Sequence, residues 1–360
     1  MYKPRICLSM IVKNEAPVIK RCLESVRPWV DHWVVVDTGS SDATRSLVVE
    51  AMAGVPGSLY ERPWVDFAHN RNEALELARP HADYVLFIDA DEQLQVPDDF
   101  EWPALGGDGY MFRCLLNGWS YRRNSLISTK LGWYWEGVIH EYLTCRQPHQ
   151  WQNLDGPEIL VSRDGARARD PSTYLKDIEV LKTALKREPT HTRYTFYLAQ
   201  SYRDAGLLAE SIEQYERRIA LGGWDEERWY SAFQIAALRE RLNEPQERVQ
   251  QAYLDTYAMR PSRAEPLCEL ARYLRLRGAN ALAHIYALRA ARITQPEDLL
   301  FVDASVYAWR ALDELAASAW HVGAMQDGRE AIDRLIAEQR FPEFERSRLE
   351  ANHRFYFQSV

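Results

Sequence analysis

The stretch YVLFIDADEQL, Tyr84 to Leu94, begins as an apolar run and ends in carboxylates. Its first five residues are aromatic, branched or aliphatic, which is typical of a buried strand. Asp89 and Asp91 follow at positions i and i+2, so both side chains can face one ligand where the strand ends. Two carboxylates there predict a site for Mn²⁺ or Mg²⁺, which bind a few protein carboxylates together with phosphate oxygens. The alternative is an ordinary solvated strand end, because a D-x-D triplet alone is weak support for a metal site.

Two more apolar runs precede this one, and they alternate with helical patterns. The runs are RICLSMIV (5–12) and HWVVVDT (32–38), and the helical patterns are PVIKRCLESV (17–26), SDATRSLVVEAMA (41–53) and NRNEALELA (70–78). Such alternation predicts βαβ units and a mostly parallel sheet. Open α/β sheets bind ligands outside the carboxyl ends of their strands. Three polar clusters fall at such ends: KNE (13–15), DTGSSD (37–42) and DADE (89–92).

The chain changes character at SRDGARARDPS (162–172), a linker rich in charge, and then reads as helical to residue 360. Within the helical part a spacing of 72 recurs, as between Gly206 and Gly278 or between Pro189 and Pro261. Half of this spacing is close to the period of about 34 of tetratricopeptide repeats. We therefore predict an α/β domain at 1–168 and an all-α, tetratricopeptide-like domain at 169–360. An irregular helical bundle is the alternative.

Composition bounds the class of protein. With 360 residues, 46% of them hydrophobic, the chain can bury the cores of about two domains. A net charge of −8 gives no general attraction to nucleic acid. No apolar run approaches the roughly 20 residues of a membrane span. The five cysteines are scattered without CxxC spacing, which favours a reducing compartment and predicts a cytoplasmic protein. The oligomeric state has no signal here.

Several motifs in order resemble the nucleotide-sugar glycosyltransferases of family 2, which have the GT-A fold, over roughly residues 4 to 145. The motifs are ICLSMIVKNEAPVIKRCLESV, VVVDTGSSDATRSLV, DFAHNRNEALELA, YVLFIDADEQL and WEGVIHEYL. The helical half also resembles a bacterial subgroup in which such a domain precedes tetratricopeptide-like repeats. The resemblance implies a UDP-sugar donor and a divalent metal ion.

The resemblance also implies residue roles. It assigns the following residues to the nucleotide-sugar or its metal: Glu15 shaping the nucleotide pocket, Asp37 accepting from uracil or ribose, Arg71 contacting the nucleotide, Asp89 near the ribose, Ala90 binding the nucleotide-sugar, and Asp91 as metal ligand, with Asp89 as its companion. Each role has a structural alternative. Glu15 can be an acidic residue favoured by a helix dipole, Arg71 can be an exposed arginine, and residues 40–42 can cap a helix.

The acceptor side needs a general base, and WEGVIHEYL supplies two candidates. Inverting members of the family place a carboxylate near the acceptor hydroxyl, so the resemblance favours Glu141 as the base. His140 is the alternative base or a metal ligand. Adjacent strand residues point to opposite faces, so both residues can serve one site only if they lie on a loop. The more common family pattern has a Glu-Asp pair here, and this chain departs from it.

Two function classes follow. The first is a metal-dependent inverting glycosyltransferase that moves a hexose from a UDP-sugar to a saccharide, peptide or protein acceptor held partly by the helical repeats. The second is a repeat scaffold for protein binding that carries a degenerate, non-catalytic nucleotide-binding domain. The intact Asp89, Asp91 and Glu141 favour the enzyme. A nucleotidyltransferase is disfavoured, because SMIVKNE (9–15) contains no Gly-rich phosphate loop.

Overall fold

The computed structural model describes residues 4–117 and 119–358. The chain divides into two compact units. The first comprises residues 1–117 and 121–205, and the second comprises residues 118–120 and 206–360.

The first unit is built on an α/β sheet. The strands are β1 (Ile6–Val12), β2 (His32–Asp37), β3 (Gly57–Glu61), β4 (Tyr84–Phe87), β5 (Glu92–Gln95), β6 (Gly109–Leu116), β7 (Trp119–Ser128), β8 (Trp133–Glu136), β9 (Tyr142–Cys145) and β10 (Trp151–Val161). The sheet order is β3-β2-β1-β4-β7-β6-β10-β5, and β8 and β9 form a separate hairpin. Strands β1 to β4 run parallel, as do β6 and β10. β7 runs antiparallel to β4, and β5 antiparallel to β10.

Helices cover both faces of this sheet. They are α1 (Ile19–Val26), α2 (Thr44–Ala51) and α3 (Phe67–Ala78). The unit also contains α4 (Ala166–Arg169), α5 (Thr173–Arg187) and α6 (Thr192–Asp204), with short 3₁₀ turns at Arg27–Trp29 and Arg79–His81. In β1, Leu8 packs in a core cluster with residues of α1 and α2, whereas its neighbour Cys7 packs with residues of α3 on the opposite face. Strands buried on both faces read as continuous apolar runs, which is why the pattern identified them.

The second unit is helical. Its helices are α7 (Leu208–Ala220), α8 (Asp225–Arg241), α9 (Gln246–Met259), α10 (Glu265–Arg275), α11 (Asn280–Ala290), α12 (Ala311–His321), α13 (Met325–Glu338) and α14 (Arg346–Gln358). Smaller elements are the strand β11 (Val302–Asp303), a π-helical turn at Val306–Arg310 and a 3₁₀ turn at Glu343–Glu345. Each helix from α7 to α14 packs against the next one along the chain. The predicted α/β fold followed by an all-α region is confirmed.

The 72-residue spacing has a structural origin in the turns between helices. Gly206 and Gly278 both have positive φ, +81° and +76°, and each lies in the turn that follows a helix. A residue in the left-handed region at the end of a helix is most often glycine, which has no Cβ to clash. Midway between them, Asn243 in the turn after α8 has φ of 52°. Recurring turn chemistry therefore underlies the repeat seen in the sequence.

The domain boundary predicted at residue 168 stays a prediction. Strand β10 ends at Val161 and helices begin at Ala166, close to that position. The first compact unit nevertheless extends to Ala205, because α5 and α6 belong to it. Ile139, from the loop between β8 and β9, packs in one cluster with Ile178 and Leu181 of α5 and further residues of α6.

Cys7, Cys22, Cys114, Cys145 and Cys268 are all buried and unpaired. Across residues 4–117 and 119–358, the helices are too short or too polar to cross a membrane.

Candidate functional site

Asp37 ends β2 and organises the turn that follows. One carboxylate oxygen, Oδ1, accepts hydrogen bonds from the backbone N–H groups of Gly39 at 3.0 Å and Ser40 at 2.9 Å. Gly39 has φ of +104°, a conformation that favours glycine. The second oxygen, Oδ2, is buried and has no hydrogen-bond partner among the described residues. A buried acceptor without a partner is costly, so this oxygen is suited to a ligand that donates a hydrogen bond.

The KNE motif meets the Asp37 turn at the same edge of the sheet. The backbone N–H of Asn14 donates to Ser40 Oγ at 2.9 Å, and Asn14 Oδ1 accepts from the backbone N–H of Ser41 at 2.8 Å. The backbone N–H of Glu15 donates to Thr44 Oγ1 at 2.8 Å. Asn14 itself has φ of 57°, a region that asparagine tolerates better than most residues. The first two predicted motifs therefore form one surface.

A pocket of about 340 Å³ opens beside this surface, within the size range of small-molecule sites. It is lined by Ile11, Val12, Lys13, Asn14, Glu15, Thr38, Trp64, Phe67, Ala166, Arg167, Asp170, Thr173, Lys176 and Asp177. Trp64 is 42% exposed, and its ring meets Phe67 edge to face with centroids 4.8 Å apart. The motif analysis missed Trp64 and Phe67. An exposed aromatic pair at a pocket can stack on a planar ligand.

The linker after β10 covers two of the predicted carboxylates. The backbone N–H of Ala166 donates to Glu15 Oε2 at 2.9 Å, and the backbone N–H of Gly165 donates to Asp91 Oδ2 at 3.3 Å. A Cβ on Gly165 would lie 3.1 Å from that same oxygen, so the absence of a side chain permits the close approach. Arg21 holds the segment through a two-pronged ion pair with Asp164. The sequence had identified this stretch only as a linker.

Charge and burial act on both of these carboxylates. Desolvation raises the pKa of Glu15 from 4.5 to about 7, with Asp91 and Asp42 adding to the rise and the Ala166 amide and Arg169 opposing it. Desolvation and the neighbouring Asp89 also raise the pKa of Asp91. Glu15 and Asp91 are therefore two acidic groups close enough to repel each other. A bound cation would relieve that repulsion.

The raised pKa of Glu15 predicts how the stability of the fold depends on pH. The pKa of Glu15 is raised from 4.5 to about 7 in the folded state, so the folded protein binds this proton more tightly than the unfolded chain does. The resulting contribution to the free energy of unfolding is fully present below pH 4.5 and is lost as pH rises toward 7. We expect Glu15→Gln to lose less stability than the parent protein between pH 5 and pH 8. The measurement is the urea midpoint of both proteins at the two pH values. Equal losses in both proteins would show that Glu15 does not titrate in this window.

Arg71 connects the donor motif with the predicted acceptor motif. The motif DFAHNRNEALELA forms α3, whose N-cap Asp66 accepts from the backbone N–H of His69 at 2.7 Å. One turn further on, Arg71 Nη2 donates to Asp89 Oδ1 at 2.6 Å and Arg71 Nε donates to Glu141 Oε1 at 2.5 Å. The Arg71 guanidinium also lies over the ring of Trp135, 5.0 Å from its centroid. Three separate motifs thus converge on one side chain.

A second arginine, Arg123 of β7, completes this cluster and was missed by the motif analysis. It binds the buried Glu92 with two hydrogen bonds of 2.8 and 2.6 Å and lies 3.6 Å from Asp89. Burial alone would raise the pKa of Asp89, but Arg71 and Arg123 outweigh it and lower that pKa. Asp89 is therefore held ionised by two guanidinium groups. The only sequence signal was a charged pair, Arg122 and Arg123, inside a strand-like run.

His140 and Glu141 lie on the loop between β8 and β9, which removes the constraint that adjacent strand residues face apart. Glu141 reaches the Arg71 cluster, and its side chain is 8% exposed. The His140 ring stacks on Tyr197 of α6 with centroids 4.0 Å apart. Desolvation and the nearby Arg167 and Arg193 lower the pKa of His140. The structure thus brings Glu141, and not the His140 ring, into contact with Arg71.

Ala90 lies between the two aspartates and is 6% exposed. It packs in the core cluster on the α1 side of the sheet, so only its backbone can contact a ligand. The roles assigned to Ala90 and to the other site residues remain predictions.

The carboxylates of the DADE motif fit a divalent cation that takes most of its ligands from phosphate and water. In the part of the chain that the structure describes, no three His, Cys, Asp or Glu side chains are grouped as a metal site. Asp89 is bound by arginines, whereas Asp91 has no ion pair among the described residues. One carboxylate is sufficient for Mg²⁺ or Mn²⁺ when phosphate oxygens and water supply the other ligands. The geometry therefore fits an ion that arrives with a diphosphate, and not a site made of protein ligands alone.

A mostly parallel sheet with polar loops at its carboxyl ends defines the class of α/β domain that binds ligands at that edge. Residues 7–101 match the family model described as Glycosyl transferase family 2. This part of the first unit is a family 2 glycosyltransferase domain.

Similar proteins carry related names. A TPR repeat-containing protein of Synechococcus elongatus is 42% identical over 91 residues, which cover 25% of this chain and 21% of that protein. The glycosyltransferase SunS of Bacillus phage SPbeta is 35% identical over 88 residues, covering 24% and 20%. An uncharacterized glycosyltransferase of Rickettsia felis is 34% identical over 100 residues, covering 27% and 33%. This chain thus spans about a fifth to a third of the length of these relatives.

Solved structures resemble part of the chain more distantly. MamA has a TM-score of 0.37 and 14% identity, covering 47% of this chain and 90% of MamA. A tetratricopeptide repeat protein from Parabacteroides merdae has a TM-score of 0.39 and 16% identity, covering 52% and 68%. Likenesses at these TM-scores carry no argument about ligands or partners.

Proposed function

We propose that this protein is a metal-dependent inverting glycosyltransferase that moves a hexose from a UDP-sugar to a saccharide, peptide or protein acceptor. The observation that carries the proposal is the bridge made by Arg71. It joins Asp89, from the predicted donor motif, to Glu141, from the predicted acceptor motif, through hydrogen bonds of 2.6 and 2.5 Å. Donor and acceptor must meet at one place for transfer, and these two motifs do meet there.

The pocket and Asp37 support the identity of the nucleobase in the sugar donor. The free, buried Oδ2 of Asp37 can accept the N–H of a uracil ring. Trp64 and Phe67 offer aromatic surface for a planar base at the pocket beside it. A base that lacks a donor at that position would leave the Asp37 oxygen unpaired. Uracil offers such a donor at N3, as guanine does at N1, and the family resemblance favours uracil as the base that we propose.

The metal ion is proposed at Asp91, with Mn²⁺ or Mg²⁺ as candidates. When bound, the ion would neutralise charge on the departing diphosphate. Glu15 lies close enough to Asp91 for the two charges to interact, so it would add negative potential beside the ion. The Gly165 amide, which now donates to Asp91, would have to give up that hydrogen bond.

The reaction proposed is a single displacement. The oxygen of the acceptor hydroxyl forms a bond to the anomeric carbon on the face opposite the diphosphate. The bond from that carbon to the diphosphate oxygen breaks, and its electron pair leaves with UDP. A base takes the hydroxyl proton, and we assign this role to Glu141. Because the Glu141 carboxylate is bound to Arg71, it must first loosen this ion pair to reach the acceptor hydroxyl.

The helices are proposed to present the acceptor. Solenoids of helix pairs offer concave surfaces to peptides and proteins. The relative from Synechococcus elongatus is named for TPR repeats, which agrees with this proposal. Five buried, unpaired cysteines support a reducing compartment, so we propose a cytoplasmic location.

The direct test is Glu141→Gln, which keeps the shape of the side chain and removes its proton acceptance. We expect transfer to fall by about 10² or more while UDP and Mn²⁺ affinity by calorimetry persist. Donors to be screened are UDP-glucose, UDP-galactose, UDP-N-acetylglucosamine and GDP-mannose, with hydrolysis as the readout until an acceptor is found. Glu101→Gln, at an exposed position, is the matched control and should keep the parental rate.

Two results would overturn parts of this proposal. If His140→Ala abolishes transfer and Glu141→Gln does not, the base is His140. If no donor is turned over and neither UDP nor Mn²⁺ raises the melting temperature, the chain is the scaffold with a degenerate nucleotide-binding domain.

A further inference from the structure

The second unit contains a pocket that the transferase reaction does not use. Its volume is about 400 Å³, within the range of small-molecule sites. The floor is apolar and well buried, with Ala290, Val306 and Ala311 exposed by 3% or less. Leu312 continues the same surface. A floor of this kind excludes a fully hydrated ion and favours a ligand with an apolar body.

The rim of this pocket is positively charged. Arg292, Arg334 and Arg340 line it, and its lining contains no aspartate or glutamate. Arg334 and Arg340 share one carboxylate outside the lining, that of Glu338, with Nε to oxygen distances of 2.6 and 2.9 Å. The side chain of Arg292 makes no hydrogen bond or ion pair with any described residue. The lining itself therefore carries three positive charges and no negative one, while Asp327 and Glu330 line the adjoining pocket that shares Arg292 and Arg334.

The backbone of one wall departs from regular helix. The turn Val306–Arg310 is π-helical, and the backbone N–H of Ala311 donates to the carbonyl of Val306, five residues back. Both ends of this wider hydrogen-bonded turn, Val306 and Ala311, lie on the pocket floor. Isolated π-helical turns occur often at functional sites, since they insert a residue at some cost to the helix. This observation is independent of the charge on the rim.

We propose that this pocket binds a small organic anion, namely a carboxylate carried on an apolar body. The apolar body would lie on the floor, and the carboxylate would accept hydrogen bonds from Arg292 and its neighbours. Guanidinium groups suit carboxylates because two parallel N–H donors match two oxygens. The pairing of Arg334 and Arg340 with Glu338, outside the lining, shows that both guanidinium groups can bind a carboxylate. The inference does not depend on the proposed transferase function.

The test uses the full chain and hexanoate as the probe, measured by calorimetry at low ionic strength. Hexanamide is the neutral counterpart, and inorganic phosphate is an anion without an apolar body. We expect hexanoate to bind best, and its affinity to fall as salt is raised, because the guanidinium groups are partly exposed. Hexanamide binding as tightly as hexanoate would overturn the role of charge. Phosphate binding as tightly would overturn the role of the floor.

A pair of variants then locates the binding. Arg292→Gln should weaken hexanoate about tenfold, the scale of one charge-assisted hydrogen bond. Arg241→Gln removes the same charge at an exposed position of α8 outside the pocket lining, and should leave the affinity unchanged. Neither arginine has a side-chain partner among the described residues, so both variants should fold. Equal hexanoate affinity in the two variants would show that the ligand lies elsewhere and would end the proposal.

Discussion

Asp91→Asn is expected to lower donor turnover in the presence of Mn²⁺ by about 10³. Asp91 is the carboxylate of the DADE motif that no guanidinium neutralises among the described residues, so it is free to meet a cation. Asparagine keeps the shape and can still accept the N–H of Gly165, but it loses the charge. Several kcal/mol of stabilisation of the leaving diphosphate should then be lost, and each 1.36 kcal/mol corresponds to about tenfold in rate.

The same substitution should leave the fold intact. Removing the charge of Asp91 relieves its repulsion with Asp89 and Glu15, so the melting temperature should stay level or rise. The increase in melting temperature that Mn²⁺ and UDP together give the parent protein should disappear. Asp99→Asn, an exposed site in the same domain, is the matched control. Turnover within twofold of the parent would remove Asp91 from the metal site.

The strand ends that build this site could be predicted from the sequence. A strand covered on both faces is a nearly unbroken apolar run, so the first polar residue after it marks the edge of the sheet. Asp37 and the Asp89–Asp91 triplet were placed correctly at that edge on this ground. The helical repeats could be predicted from a different signal, namely that turns which need glycine recur at a constant spacing.

The contacts between distant motifs could not be predicted. Arg123 pairs with Glu92 and approaches Asp89 because β7 lies beside β4 in a particular register. The sequence shows two adjacent arginines there, and alternation sends only one of them to the buried carboxylate. Without the register, nothing in the sequence distinguishes Arg122 from Arg123.

The linker illustrates the same limit. Residues 162–172 have the composition of a solvated connection, which is how they were interpreted. In the structure their backbone amides donate to Glu15 and Asp91, more than 70 positions earlier in the chain. Backbone donors carry no side-chain signature, so composition cannot reveal such contacts. Only the close approach of Gly165 to Asp91, which a Cβ would crowd, leaves a trace in the sequence.

Arg71→Ala is expected to destabilise the first unit by about 3–5 kcal/mol, the cost of removing one partner of a buried ion pair. The Arg71 side chain is 13% exposed and the Glu141 side chain 8%, so water cannot replace the guanidinium readily. Glu141 would lose its ion-pair partner, and the contact with Trp135 would be lost as well. The measurement is the urea midpoint. Arg45→Ala, which breaks an exposed pair with Glu61, is the matched control and should cost about 1 kcal/mol or less.

A second substitution separates charge from packing in this effect. If the penalty comes from an unpaired carboxylate, Arg71→Ala combined with Glu141→Gln should be more stable than Arg71→Ala alone, because the buried charge has been removed. If the penalty comes from lost packing on Trp135, the double variant should be no more stable. Arg71→Lys should recover only part of the loss, since one ammonium cannot reproduce the two-sided bridge to Asp89 and Glu141. An Arg71→Ala cost no greater than that of Arg45→Ala would mean that Arg71 does not hold the two motifs together, and the site would have to be assembled by the bound donor.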